Sequence, residues 1–128
     1  EDAFNKTYSL ISSLPITYLH VFPFSSRPGT KAASFPNHID PQIIKARRNR
    51  LLDLGRKKKS DFYTKMIGKS LDVLIEAKRD SASGLLKGIS SNYVKVLVDG
   101  DDSLKNNILP CQITKILNSD TVLGEYMR

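Results

Sequence analysis

Cysteine occurs once in the 128 residues, as Cys111, and tryptophan not at all; histidine and methionine occur twice each. A single thiol excludes an internal disulfide and any self-contained zinc or iron–sulfur cluster built from thiolates. His20 and His38 stand in unlike contexts with no cysteine nucleophile beside either. There is no phosphate-cradling glycine loop and no carboxylate pair that stands out, so no catalytic set is expected within the chain. Long apolar runs are missing as well. The longest, Ile16–Phe24, is interrupted by Thr17, His20 and Pro23 and is far too short to cross a bilayer. No charged-then-apolar leader precedes a small-residue site, which points to a cytoplasmic setting. Glu1 stands where a start methionine would, and helical text begins at once, so the chain reads as a piece of a longer protein. With 40% apolar and 26% charged residues, a modest core is expected rather than disorder.

What is present in excess is positive charge, and it is segregated. The formal balance of +7 is carried by residues 40–69, which hold ten bases against three acids; residues 1–39 come to +1 and residues 70–128 to −1. A concentrated basic stretch draws polyanions, nucleic acid first among them in the cytoplasm. The same pattern also suits a solvated helix face.

The chain reads as α+β, in three parts. In residues 1–39, Phe4, Tyr8 and Ile11 recur at the spacing of an amphipathic helix over 2–13, which Pro15 stops. Ile16–Phe22, rich in β-branched and aromatic residues, suits a strand covered on both faces. Pro28-Gly29 is a strong turn signal. Helix, strand and loop together read as one α/β unit of a larger sheet. In residues 40–68, Asp40 is a good N-cap, Pro41 fits the first helical position and Gly68 the C′ position. Ile44, Leu51, Phe62 and Met66 share one stripe, widened by Ile43, Leu52 and Leu54, while Gly55 invites a bend or break. The polar face carries Lys45, Arg47, Arg48 and Arg50, then Arg56, Lys57, Lys58 and Lys59. From residue 69 the period is two: Leu71, Val73, Ile75; then Val94, Val96, Val98; then Leu109, Cys111, Ile113. Breaks fall at Asp80–Gly84, Asp99–Asp102, Asn106-Asn107 and Asn118–Asp120, which predicts a small antiparallel barrel of about five strands over 69–128.

Within this frame, His20 is expected as a core histidine on its strand, and Cys111 as a plain buried thiol. Tyr93 and Lys95 fall on the outward phase of one strand, beside Asn92, with Lys78, Arg79 and Lys87 flanking the neighbouring turn. Barrels of the oligonucleotide-binding type use such aromatics and bases on single-stranded RNA. Docking of a protein is the alternative, favoured by the slightly acidic tally of the barrel. Phe4, Tyr8 and Val21 are expected to present apolar surface.

Leu14–Ala32 resembles the end of the catalytic barrel in radical S-adenosylmethionine methylthiotransferases, whose Y/F-S-x-R-P-G-T-x-A motif is matched by Phe24 through Ala32. Arg47, Arg50, Leu51 and Leu54 resemble that family's R-x-x-x-L-x-x-L linker helix, and residues from about Gly68 onward its C-terminal TRAM barrel, an RNA-binding domain. Leu19–Pro23 and the Gly88, Asn92, Tyr93, Lys95, Val96 pattern look most like the branch acting on N6-threonylcarbamoyladenosine in tRNA. The isopentenyl-adenosine branch shares the R-P-G-T loop; the branch acting on a ribosomal protein usually lacks the Arg-Pro pair. The resemblance implies a parent enzyme that methylthiolates C2 of that adenosine next to the anticodon, using two [4Fe–4S] clusters and S-adenosylmethionine. It implies a division into 1–39 (end of the radical barrel), 40–68 (linker helix) and 69–128 (TRAM). None of the cluster cysteines is present, so the chain alone should bind no cofactor and catalyse nothing. The expected partners are the tRNA anticodon stem-loop, held by Lys78, Arg79, Lys87, Asn92, Tyr93, Lys95 and Arg56–Lys59, and the rest of the parent barrel. Ser25, Arg27, Gly29 and Thr30 would lie at the mouth of the active site, where Arg27 either meets an anionic group or merely shapes the loop.

Overall fold

A computed structural model describes all 128 residues. Two helices, α1 (Asp2–Ser13) and α2 (Pro41–Met66), precede five strands: β1 (Ser70–Arg79), β2 (Leu86–Ser90), β3 (Lys95–Val98), β4 (Ile108–Asn118) and β5 (Thr121–Tyr126). Single 3₁₀ turns lie at Ala32–Ser34 and Asp102–Leu104. The chain divides into two compact units, Glu1–Lys59 and Ser60–Arg128, and the division falls inside α2.

In the first unit α1 ends where Pro15 requires, with Leu14 extended at φ −82° and ψ 151°. Its apolar stripe of Phe4, Tyr8 and Ile11 is half-buried rather than open to water. The cover comes from bases of α2. The Arg47 and Arg50 guanidinium groups lie 5.3 and 4.9 Å from the Phe4 ring centroid, and Arg50 lies 5.0 Å from that of Tyr8. Arg47 also donates to Glu1 Oε2 at 2.9 Å. At the other end of α1 the Lys58 ammonium donates to the carbonyls of Ser12 (3.2 Å) and Leu14 (2.7 Å). Those carbonyls lack helical partners and carry the negative end of the helix dipole, so a cation is the natural cap.

The expected strand at Ile16–Phe22 does not form; residues 15–27 carry no regular structure. A strand needs a neighbour to accept its ladder hydrogen bonds, and no other strand of this unit offers one. His20 is accordingly exposed, its ring 4.8 Å from that of Tyr18, and is not a core residue. Leu19 instead packs on Gly55: a Cβ there would come within 3.4 Å of the Leu19 Cβ. The glycine does not break α2, which is helical from end to end. Pro28-Gly29 makes the expected turn, with Gly29 at φ +82° and the Thr30 N–H donating to Arg27 O at 3.3 Å.

The second unit is a closed barrel in the order β1-β2-β3-β5-β4. Four neighbouring pairs are antiparallel, but β3 and β5 run parallel, so the expectation of an antiparallel barrel fails at that one seam. Closure of five strands in this order brings the last strand beside the third, and the short Ser119-Asp120 hairpin fixes β5 antiparallel to β4 alone. The period-two residues face inward as expected: Val73, Ile75, Val94, Val96, Val98, Cys111 and Ile113 are at most 1% exposed, Leu109 is buried and Leu71 half-buried against them, and Val122 of β5 joins the same core. Each stabilises the unit by roughly 1.5–3 kcal/mol on the usual area scale. Tyr63 and Met66, from the last turns of α2, complete this core, and Tyr63 donates its hydroxyl to Asp120 O. Gly68 leaves the helix at φ +84°, and its N–H donates to Ile113 O at 2.7 Å, seating the chain on β4 before β1 begins.

Gly88 on β2 sits where β1 crosses closest. A Cβ there would stand 2.5 Å from Leu74 O and 2.6 Å from Val73 Cγ1. Gly88→Ala is therefore expected to cost about 1–3 kcal/mol of unfolding free energy through overpacking, read as a lowered urea midpoint. A midpoint equal to that of the unmodified chain would show that the two strands are not in this close approach.

Candidate nucleic-acid interface

The hairpin joining β2 to β3 turns on three residues, Ser91-Asn92-Tyr93. Ser90 and Val94 face each other, the Ser90 N–H donating to Val94 O and the Tyr93 N–H to Ser90 O, both at 3.0 Å. Three-residue hairpins of this kind place their last loop residue in the left-handed region, usually as glycine. Here the position is Tyr93, at φ +66°. Tyr93 is thus in the turn and not on the strand, so it does not share the outward phase of Lys95 as its spacing predicted. Its ring is 77% exposed. The turn beneath it is tied down: the buried Ser90 hydroxyl accepts from the Val94 N–H at 2.9 Å and donates to Asn92 Oδ1, while Asn92 Nδ2 reaches Met66 Sδ at 3.6 Å. Asn92 is therefore a support of the turn.

The other candidates in the barrel separate by what they already hold. Arg79 spends its guanidinium on Asp102 Oδ1 (2.8 Å), Gly84 O (2.9 Å) and Gly100 O (2.8 Å), tying the β1–β2 loop to the β3–β4 connection. The Arg79 bond, followed by Lys105, holds the Asp102 carboxyl below the ordinary aspartate value. Lys87 faces Glu76 at 4.0 Å. Lys78 and Lys95 are exposed on β1 and β3. Cys111 lies in the barrel core, where burial, with the Asp72 carboxylate adding to it, pushes its thiol up to about 11.

On α2 the basic face is already partly engaged within the first unit. Arg56 pairs with Asp53 at 2.6 Å, Lys58 caps α1, and the Lys59 ammonium lies 5.2 Å from the Tyr18 ring centroid. Lys57 is exposed. In the loop ahead of α2, Ser25, Arg27, Gly29 and Thr30 are exposed; the Thr30 hydroxyl donates to Arg27 O at 2.8 Å and accepts from the Ala33 N–H at 3.3 Å, so Thr30 caps the 3₁₀ turn. His38 closes the same loop, its Nε2 3.2 Å from Ala32 O and its ring edge-on to Phe24. The 128 residues do not fit an iron–sulfur cluster: the one thiol is sealed in the barrel, and no three His, Cys, Asp or Glu side chains converge on a metal position.

No protein-family model matches the chain. Curated proteins do. The threonylcarbamoyladenosine tRNA methylthiotransferase MtaB of Aquifex aeolicus is 33% identical over 100 residues, which is 78% of this chain and 23% of that protein. The tRNA-2-methylthio-N(6)-dimethylallyladenosine synthase of Pelotomaculum thermopropionicum is 28% identical over 114 residues, 89% of this chain and 25% of that protein. The ribosomal protein uS12 methylthiotransferase RimO of Prochlorococcus marinus is 34% identical over 101 residues, 79% and 21%. The chain is homologous to the methylthiotransferases. It spans about a quarter of the length of the curated relatives it matches. In this methylthiotransferase segment the small barrel agrees with the TRAM-like domain that the sequence resemblance implied.

Two outcomes follow from the local chemistry. Tyr93→Gly relieves a left-handed backbone that costs about 1–2 kcal/mol in a residue with a Cβ, against about 0.5–1 kcal/mol of added unfolded-state freedom. A rise in unfolding free energy of up to about 1 kcal/mol is expected, and a fall would place Tyr93 outside the left-handed region. Asp102, with its folded value below the ordinary 3.8, contributes to the Arg79 clamp at and above that value and loses the contribution as pH falls through the lowered one. In carboxyl carbon NMR titrations Arg79→Met should raise the Asp102 midpoint toward 3.8; an unmoved midpoint would remove Arg79 from that carboxylate.

Proposed function

We propose that the chain is the tRNA-binding end of a methylthiotransferase that methylthiolates C2 of N6-threonylcarbamoyladenosine beside the anticodon. The carrying observation is the match of most of this chain to proteins named for that reaction on tRNA, at 33% identity over 100 residues in one case. The barrel and the exposed bases would hold the anticodon stem-loop, and Arg27, exposed on its turn, would face the anionic substrate. The clusters and S-adenosylmethionine of the parent enzyme would be held by residues outside these 128, in a cytoplasmic protein. The exposed rings of Phe22, Phe24 and Phe35 would meet the rest of the parent barrel, since large apolar groups left in water gain most from such cover.

A second reading has its own support. Relatives named for dimethylallyladenosine match 89% and 98% of the chain, so the isopentenyl-type adenosine is the alternative substrate. Mass spectrometry of nucleosides from cells lacking the whole gene separates the two. The first reading expects loss of the 2-methylthio group from threonylcarbamoyladenosine alone; its loss from dimethylallyladenosine instead would hand the assignment to the second.

The binding role is tested on the chain itself by titration with an anticodon stem-loop at rising salt. Log affinity should fall linearly with log salt, with a slope near −0.9 for each phosphate neutralised in a paired stem. Absence of binding at low ionic strength would remove the tRNA-holding role.

A further inference from the structure

The period-two pattern that fills the barrel also leaves an outer face, and register places its residues in rows. One row runs across four strands: Lys95 on β3 opposite Ile89 on β2, Ile89 opposite Leu74 on β1, and Leu74 opposite Ile108 on β4. Directly opposed residues on one face of a sheet have side chains about 5 Å apart, so the row is continuous. Its inward neighbours are buried, whereas Ile108 is 69% and Leu74 46% exposed. Two large aliphatic groups thus lie side by side in water, with a lysine at one end of the row. At the same end the hairpin holds out the Tyr93 ring, two residues before Lys95, in a backbone conformation that disfavours any side chain.

We propose that this row, Lys95-Ile89-Leu74-Ile108 with the Tyr93 ring at its edge, is the surface on which the barrel takes unpaired nucleotides of RNA. The inference rests on the tRNA-binding reading above and names the face that serves it. Three features favour RNA as the occupant. Residues held in a left-handed backbone cluster at ligand sites, and an exposed aromatic on a tied-down turn is a stacking platform for a base. Apolar side chains beside it accept the faces of bases and sugars, and Lys95, which holds no acid, meets the phosphate between them. The alternative electrostatic surface on α2 is partly spent on Asp53, on the α1 carbonyls and on Tyr18. Stacking on Tyr93 requires a base free of its own duplex, so the face selects loops and single strands over paired stems.

The test uses the full chain and a fluorescein-labelled single-stranded RNA of mixed sequence, alone or annealed to its complement. The single strand is expected to bind more tightly than the duplex, and Tyr93→Ala to weaken it roughly tenfold. Leu74→Glu and Ile108→Glu, which set a carboxylate against phosphate, should each weaken it several-fold, while Lys115→Gln, at the other end of β4 where that strand pairs with β5, leaves it unchanged. Tyr93→Gly keeps the hairpin geometry, so loss of affinity in that variant without loss of stability excludes misfolding as the cause. Equal affinity of the row variants and the unmodified chain would overturn the proposal while leaving the tRNA reading standing. Failure of the unmodified chain to bind either RNA would remove the reading itself. Self-association abolished by Ile108→Glu with RNA affinity intact would also overturn it, the row then being a protein-docking face.

Discussion

Closure of the barrel is the constraint on which the rest of the second unit depends. Because β3 and β5 pair in parallel while the other seams are antiparallel, every strand has a neighbour on both sides and no edge remains. An edgeless sheet cannot recruit a partner by adding a strand. Whatever the barrel binds must therefore be met by side chains on its outer face or by its loops. The same closure presses the inner faces together until two strands pass without room for a Cβ: Gly124 on β5 would place one 2.8 Å from Val96 Cγ1, at the parallel seam itself. Closure, core and outer display are consequences of one alternation, inward apolar and outward available.

Charge obeys a different logic. The segregated +7 of residues 40–69 reads in sequence as a polycation waiting for a polyanion. In three dimensions several of those bases have work inside the first unit. Arg47 and Arg50 lie over aromatic rings, Lys58 closes the end of α1, and Arg56 answers Asp53. Cation–π contacts and helix-end caps leave the formal charge in place but fix its position, so the bases serve as packing for a unit that is poor in buried aliphatics. Net charge counts the cations without saying which of them is free to move toward a phosphate.

Sequence reading succeeded where one local pattern decides the outcome. Helix α1 over 2–13, its stop before Pro15, the Gly68 exit from α2 and the inward residues of β1, β3 and β4 all depend on periodicity or on the backbone demands of proline and glycine. It failed where the outcome depends on partners distant in the chain. Ile16–Phe22 has strand composition, yet composition supplies no ladder partner, and His20 went to solvent with it. Short strands at regular spacing predict antiparallel neighbours, but the β3–β5 seam joins strands separated by β4, and no spacing between consecutive strands encodes it. Tyr63 is among the most buried residues although it lies outside the helical stripe that holds Phe62 and Met66, because the barrel's core covers it together with Met66.

Tyr93 shows how a small error in register becomes an error in mechanism. Alternation counted from Val94 sets Tyr93 on a strand beside Lys95, where a tyrosine is conformationally comfortable and its exposure needs no explanation. The three-residue turn ends one position later than that count allows, so the residue falls at the point of the hairpin built for glycine. Ser90, Val94, Asn92 and Met66 hold the turn from below and leave the backbone little freedom to relax by another route. The ring is consequently displayed by a rigid loop, with the cost of its conformation met by the hydrogen bonds underneath. A flexible loop would present the same ring with less strain, but a partner would then have to order it on binding. Strain held in advance replaces that ordering cost, which is the physical reason to look for the partner at this turn before any basic stretch of α2.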